Sequence, residues 1–359
     1  MAQKKEWLDF IKVFGVLATI FLHTNSRLVN FQTSVVDYPI KLNMFHWDIS
    51  VVFASLAGPS FALIFMYLGA TVLSSSHNSI SFFMSKIKHL LIPLLFWTIV
   101  TLLFRKYIMN WDIGIVEGLL LSPFKAVASN MWILYTLIAI FAITPILKIF
   151  INNATLRQQL YFIFLWLYAV TLPLTLKTSF SIDIGTNFPM FVGYVGYMVL
   201  GYILANVTLN KKILLLGFIL FLAGNTWSIF GTLSHSSAVD VEQGIYASYY
   251  FNRFLLPLIM SSIGSFILLR YIAEHLMSLP KFKHTIHAIS AVALGMCMVY
   301  PYWFVILGTE KIGIELTAFA GHPLWAIPLT AFITMVGSFI TVYIIQRIPY
   351  LHHITPRLY

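Results

Sequence analysis

Three ionisable residues stand on one face of the first apolar stretch. The stretch runs from Glu6 to Asn25 and contains Asp9, Lys12 and His23. Eleven positions separate Lys12 from His23. At ~100° per residue that is about 20° past three full helical turns. Asp9 precedes His23 by 14 positions, about 40° short of four turns. A rise of ~1.5 Å per residue puts ~16 Å between Lys12 and His23 along the axis. Such groups cost several kcal/mol each in hydrocarbon unless they face protein or water, so they point to function. An imidazole can take a proton from an attacking hydroxyl near neutral pH, because its unperturbed pKa is ~6.5. It can also carry an acyl group as an acyl-imidazole, and the spacing does not separate the two roles. Lys12 can neutralise phosphate or stabilise developing charge. Its plain alternative is an ion pair with Asp9 at i,i+3 that holds the helix end near an interface. Asp9, close to that end, reads as an orienting partner rather than a base.

The elements that must position these groups are membrane helices. The chain has 359 residues, 59% hydrophobic and 9% charged, whereas soluble domains carry roughly 25% charge. Apolar runs of ~20 residues predict ten spans. They are 7–25, 50–74, 88–105, 131–151, 158–176, 187–207, 211–232, 250–271, 287–307 and 324–346. The third contains Pro93, and the fifth is interrupted by Pro173. The expected fold is therefore all-α and polytopic, one transmembrane unit over 1–359 with no separate soluble domain. Asp9 and Lys12, and the lack of a small-residue cleavage site, argue against reading the first stretch as a signal peptide. A single cysteine, Cys297, excludes an internal disulfide and a thiolate metal cluster.

Alternating the ten spans sorts the loop charges. The N-terminal side collects 13 Lys and Arg and only Glu6 and Glu274 as acids; the other side collects seven basic and nine acidic residues. The positive-inside rule then places both termini in the cytoplasm. The net charge of +10 becomes a feature of the cytoplasmic face, suited to anionic lipid headgroups and to an anionic cytosolic substrate. Basic residues spread over short loops give a nucleic-acid partner little support.

Other residues are candidates for binding. Lys86 and Lys88, with His89, open the third span, where they could meet nucleotide phosphates or simply anchor the helix. Arg253 follows Tyr249, Tyr250 and Asn252 at the outer end of the eighth span. A snorkelling arginine is one reading. Recognition of an acidic sugar or a lipid-linked phosphate is the other, with Tyr249 and Asn252 supplying stacking and hydrogen bonds. Tyr300 and Trp303 could stack on a sugar ring, or belong to the interfacial aromatic belt. His284 and His287 lie i,i+3 on a basic segment with only Glu274 as a nearby carboxylate, so no metal site is expected. No Gly-x-x-x-x-Gly-Lys loop is present, which argues against ATP hydrolysis.

Motifs along the whole chain add to this. Asp9-Phe10-Ile11-Lys12 followed by His23 resembles the opening of the bacterial acyltransferase-3 family of integral membrane acyltransferases. That family has Asp-x-x-Arg and then a histidine eleven residues after the arginine. Here lysine replaces arginine and cannot make arginine's planar bidentate contact. Ser85 to Trp97, with Lys86, Lys88 and Pro93, resembles the family's basic stretch running into Ile-Pro-x-x-x-Trp. Asn130-Met131-Trp132-Ile133-Leu134-Tyr135 with Thr144-Pro145, and the Gly193 to Tyr202 helix, are similar to further family segments. So are Ile289-Ser290, Leu294-Gly295 and Tyr300-Pro301. Asn130 and Tyr300 stand where the family often has histidine.

The resemblance implies transfer of an acyl group, usually acetyl, from cytoplasmic acyl-CoA to a hydroxyl of an extracytoplasmic glycan. The expected enzyme is an O-acetyltransferase of the bacterial cytoplasmic membrane, acting on a surface glycan such as O-antigen or capsule, or on a lipid-linked sugar. Acetyl-CoA would be its donor and no metal would be needed. His23, Asp9 and Lys12 would be its catalytic group, and Lys12, Lys86 and Lys88 would hold the donor. The competing reading is a transporter of a glycan or lipid-linked sugar, with the polar stripe lining its path. The absence of an internal repeat weighs against it.

Overall fold

The computed structural model describes residues 5–29, 43–76, 80–110, 114–122, 131–181, 190–242, 249–308, 316 and 321–356. Among these residues the regular structure is entirely helical. Helix α1 spans Trp7–Val29, α2 Met44–Ala57, α3 Ser60–Val72, α4 Ile80–Tyr107 and α5 Ile115–Leu121. Then come α6 (Trp132–Asn153), α7 (Leu156–Trp166), α8 (Leu172–Phe180), α9 (Met190–Asn206), α10 (Lys211–Ser234) and α11 (Ala238–Glu242). Helices α12 (Leu256–Leu276), α13 (Pro280–Leu307) and α14 (Pro323–Arg347) complete the chain. Nine helical stretches among the described residues are long and apolar enough to cross a membrane. They coincide with nine of the ten expected spans. The remaining one is α9, whose 17 residues begin beyond residues 187–189 of the expected span. The protein is an all-α, multi-pass membrane protein. In hydrocarbon each backbone N–H and C=O must be bonded within its own helix, which is why apolar runs of this length become helices.

Prolines shape two of the spans without dividing them. Helix α4 continues through Pro93 for 28 residues. The expected break at Pro173 is a π-helical turn, Leu167–Thr171, joining α7 to α8. Pro173 has no N–H to donate, and the wider turn before it absorbs the missing bond. Helices α2 and α3 form one span bent at Gly58-Pro59.

Helix α1 is the axis of the bundle. It packs against α2, α3, α12, α13 and α14. Its apolar side chains Ile11, Val16 and Ile20 are buried in the core cluster, which also takes in most of α3, α9 and α13. Helices α3 and α9 approach until their backbones touch. A Cβ on Gly69 would stand 1.9 Å from the Met198 carbonyl oxygen, and one on Gly201 2.0 Å from that of Met66. Only glycine permits this crossing, the usual device where lipid offers helices no hydrophobic drive to associate.

One end of the bundle is tied by basic side chains. Lys5 Nζ donates to the Ala205 carbonyl at 2.7 Å and to Asn206 Oδ1 at 2.9 Å. Arg270 donates to the carbonyls of Leu204 and Val207 at 2.7 and 2.8 Å, closing the C-terminus of α9. Lys283 pairs with Glu6 at 2.6 Å. Buried Lys148 of α6 reaches the Ser75 carbonyl at 2.5 Å and so caps the end of α3. Cations on the last carbonyls of a helix satisfy orphan acceptors and complement its dipole.

Candidate active site

Asp9, one turn into α1, is buried at 4% exposure. Both of its carboxylate oxygens accept from α13: Oδ2 from His287 Nδ1 and Oδ1 from the Ser290 hydroxyl, each at 2.8 Å. Burial of a carboxylate requires such donors. The segment that carries Asp9 is thereby fixed against α13. Lys12, one turn further on, is also 4% exposed. Its ammonium lies 5.6 Å from the centre of the Tyr67 ring on α3.

Three turns beyond Lys12 stands His23. Its Nδ1 is 2.8 Å from the Thr19 carbonyl of its own helix. A carbonyl can only accept, so Nδ1 carries the proton, and in the neutral ring the lone pair belongs to Nε2. The ring meets Phe61 of α3 edge-on at 5.6 Å between centroids. On another side it lies 5.3 Å from Tyr300 of α13, tilted by 36°. Two residues later Asn25 and Ser50 bond reciprocally, Asn25 Nδ2 to the Ser50 carbonyl at 2.6 Å and Ser50 Oγ to Asn25 Oδ1 at 2.8 Å. Both are wholly buried. This pair pins α1 to α2 just past the imidazole.

Arg253 joins the same group. It precedes α12, and Tyr197 of α9 donates to its backbone carbonyl at 2.5 Å. Its guanidinium lies 3.9 Å from the Phe61 ring centre and 4.3 Å from that of Trp132 on α6. Nη1 donates to the Tyr194 hydroxyl of α9 at 2.8 Å. The guanidinium lies against the edge-packed pair of Phe61 and Trp132, whose ring centres are 4.8 Å apart, a contact that favours a planar cation. The guanidinium and the His23 imidazole both lie against the Phe61 ring. Among the described residues Arg253 makes no ion pair.

The structure thus brings together His23, Tyr300 and Arg253, and separately Asp9 and Lys12 further along the same stripe. It does not gather the other candidates. Trp303 faces α14, where its indole donates to Thr341 Oγ1 at 3.2 Å. Asn252 turns back on its own backbone, its Oδ1 accepting from Phe254 N at 3.2 Å. The Tyr249 side chain and Asn130 lie outside the described residues. Tyr250 is buried at 3%, against Gly231 of α10. Lys86 and Lys88 stand on the first turns of α4, Lys86 over the Phe82 ring at 5.3 Å and Lys88 exposed. Helix α4 is not among the helices that α1 packs against closely. No three His, Cys, Asp or Glu among the described residues come together to hold a metal.

Two residues at this site had been weighed in the sequence only for other reasons. His287 was considered as a metal ligand, and Ser290 as part of a motif; both prove to hold Asp9. The available signal was the cost of a buried carboxylate, which demands donors from some neighbouring helix.

An imidazole held by its Nδ1–H, a cation against the same Phe61 ring, and a buried Asp9 and Lys12 on the same helix can perform acyl transfer. The acyltransferase-3 family model, described as an acyltransferase domain, matches residues 5–345. No curated protein and no solved structure matches the chain. The chain belongs to the acyltransferase-3 family, and the protein is a membrane acyltransferase.

Proposed function

We propose that the protein moves an acetyl group from cytoplasmic acetyl-CoA to a sugar hydroxyl of an extracytoplasmic surface glycan or lipid-linked sugar. It would do so as a multi-pass enzyme of the bacterial cytoplasmic membrane. The observation that carries this reading is the α1 stripe: buried Asp9 and Lys12 toward one end, and half-buried His23 three turns beyond Lys12 with Nδ1 bonded to Thr19. In this reading the donor's phosphates meet Lys12, and Lys86 and Lys88 at the mouth, while the thioester arm runs along the stripe. The acceptor hydroxyl gives its proton to His23 Nε2 as its oxygen attacks the thioester carbonyl. Collapse of the tetrahedral centre breaks the C–S bond, and the imidazolium returns the proton to the thiolate. Transfer from a thioester to an alcohol is downhill, so no further energy source enters. Asp9 orients the entry segment through His287 and Ser290 rather than acting as the base.

The test is incubation of the purified full chain with labelled acetyl-CoA and surface glycan from the native cells. Base-labile ester label on the glycan is the expected result. Intact protein that labels no glycan, whatever the preparation, would defeat the reading.

A further inference from the structure

Arg253 is a half-buried cation without a carboxylate partner among the described residues, set near a histidine. Stability alone gives little reason for it. A charged group drawn partly out of water is costly unless paired or used. Its environment is built for fixity rather than neutralisation. Phe61 and Trp132 cover it at 3.9 and 4.3 Å, Tyr194 holds Nη1, and Tyr197 holds its backbone carbonyl. Only one of its five N–H donors is used by this bond to Tyr194, leaving a fork that can bind an oxygen.

The position of the fork relative to His23 defines which oxygen. Imidazole and guanidinium lie against the same Phe61 ring, at 5.6 and 3.9 Å from its centre. Two groups at these distances from one ring centre stand at most about 9.5 Å apart, within reach of a tetrahedral centre whose one oxygen bonds the imidazole and whose second oxygen bonds the guanidinium. Each hydrogen bond takes up ~2.8 Å. We infer that Arg253 is a catalytic residue that binds the oxyanion formed when the acceptor hydroxyl attacks the acyl carbonyl. In that step the new C–O bond forms, the carbonyl π pair moves onto oxygen, and the hydroxyl proton passes to His23. Arg253 donates to the negative oxygen until the C–S bond breaks and the carbonyl reforms. A preorganised donor aimed at the oxygen where charge develops is usually the largest single source of catalysis in such reactions. The inference rests on the acyl-transfer reading. It assigns Arg253 to the reacting carbonyl rather than to an acidic group on the acceptor, and the two assignments have different kinetics.

The experiment uses the full chain in proteoliposomes that contain glycan extract from the native cells. It follows thiol release from acetyl-CoA at varied donor and glycan. Arg253→Gln should lower kcat ~10²–10³-fold, as loss of one oxyanion donor does, with both KM values near wild type. Arg253→Ala should regain activity with added guanidinium, which can take the vacated place against Phe61 and Trp132, whereas His23→Ala should not. If the Arg253 variants do not fold, Tyr194→Phe removes only the hydroxyl that holds Nη1. That variant should lower kcat several-fold with KM unchanged. A raised glycan KM with unchanged kcat would assign Arg253 to acceptor recognition and overturn the inference. Unchanged kinetics in the folded variants would do the same. A wild-type protein that releases no thiol would overturn the acyl-transfer reading and this inference with it.

Discussion

His23 owes its role to two local facts: a position three turns above Lys12, and a carbonyl one turn back that holds Nδ1. Replacing it with alanine should abolish transfer while expression and thermal stability stay close to wild type. Loss of a positioned base costs ~10²–10⁴-fold in rate. A His23→Ala enzyme with most of its turnover would remove His23 from the mechanism. Lys12 is a different case, because its ammonium is buried beside Tyr67. Lys12→Arg should be active or better, since arginine can hold phosphate bidentately. Lys12→Ala should raise the donor KM. An unchanged donor KM in Lys12→Ala would leave Lys12 as a structural partner of Asp9. The stripe of Asp9, Lys12 and His23 was legible in the sequence because it depends only on spacing within one helix. The pairing of Asp9 with His287 was not. It joins residues 278 positions apart, and such a contact is set by how α1 and α13 pack. Arg253 was legible as a candidate, but its sequence neighbours suggested an outer interface. Its aromatic cage comes from α3, α6 and α9, three elements remote in sequence.

Elements bring these residues together, and the α3–α9 crossing is the tightest joint among them. Phe61 and Tyr67 come from α3, Tyr194 and Tyr197 from α9, so the distance between the helices fixes the Arg253 cage. Gly69→Ala places a methyl group into the backbone at Met198 and must push the helices apart. Overpacking usually costs ~1–3 kcal/mol; contact with backbone rather than a flexible side chain puts this change at the upper end. Thermal denaturation should show the loss for Gly69→Ala and Gly201→Ala, with kcat reduced in whatever protein remains folded. Wild-type stability in both would mean that the helices can separate without consequence. A milder joint lies at Asn25 and Ser50. Asn25→Leu leaves the buried Ser50 hydroxyl without its acceptor, which costs ~1–3 kcal/mol, and a melting temperature equal to wild type would show that the pair does not brace α1. Spans of this kind are legible from apolar length alone, and nine recur in the structure. What apolar length does not carry is the shape of each span. Pro93 leaves α4 continuous, whereas Pro173 is preceded by a π turn, because neighbouring helices decide whether a lost backbone bond can be absorbed. The close approach of Gly69 and Gly201 is equally invisible from one sequence, since glycines occur in many spans without touching another backbone.

At the scale of the whole molecule the consequence is sidedness. The bundle end that gathers Lys5, Arg270, Lys283 and Glu6 also bears the α1 segment with Asp9 and Lys12. The Lys5 ammonium there is held below the ordinary lysine range, first by burial and then by the Arg270 guanidinium. The cations Lys5, Arg270 and Lys283 are gathered at this end, which suits a polyanionic donor. His23 lies ~21 Å further along α1 from Asp9, by a rise of ~1.5 Å per residue, a length that covers most of a ~30 Å hydrocarbon core. A donor that entered at the basic end would reach His23 only by its acyl arm, leaving the opposite end for the acceptor hydroxyl. In sealed vesicles of known orientation, acetyl-CoA should support transfer only when supplied at the face bearing Lys86 and Lys211, with glycan at the other. Removing the basic charge at the mouth, as in Lys86→Ala with Lys88→Ala, should raise the donor KM most at low ionic strength, where screening is weakest. Equal transfer with donor and acceptor both confined to the opposite face would sink the cross-membrane path, while leaving the protein an acyltransferase whose two substrates share one entrance.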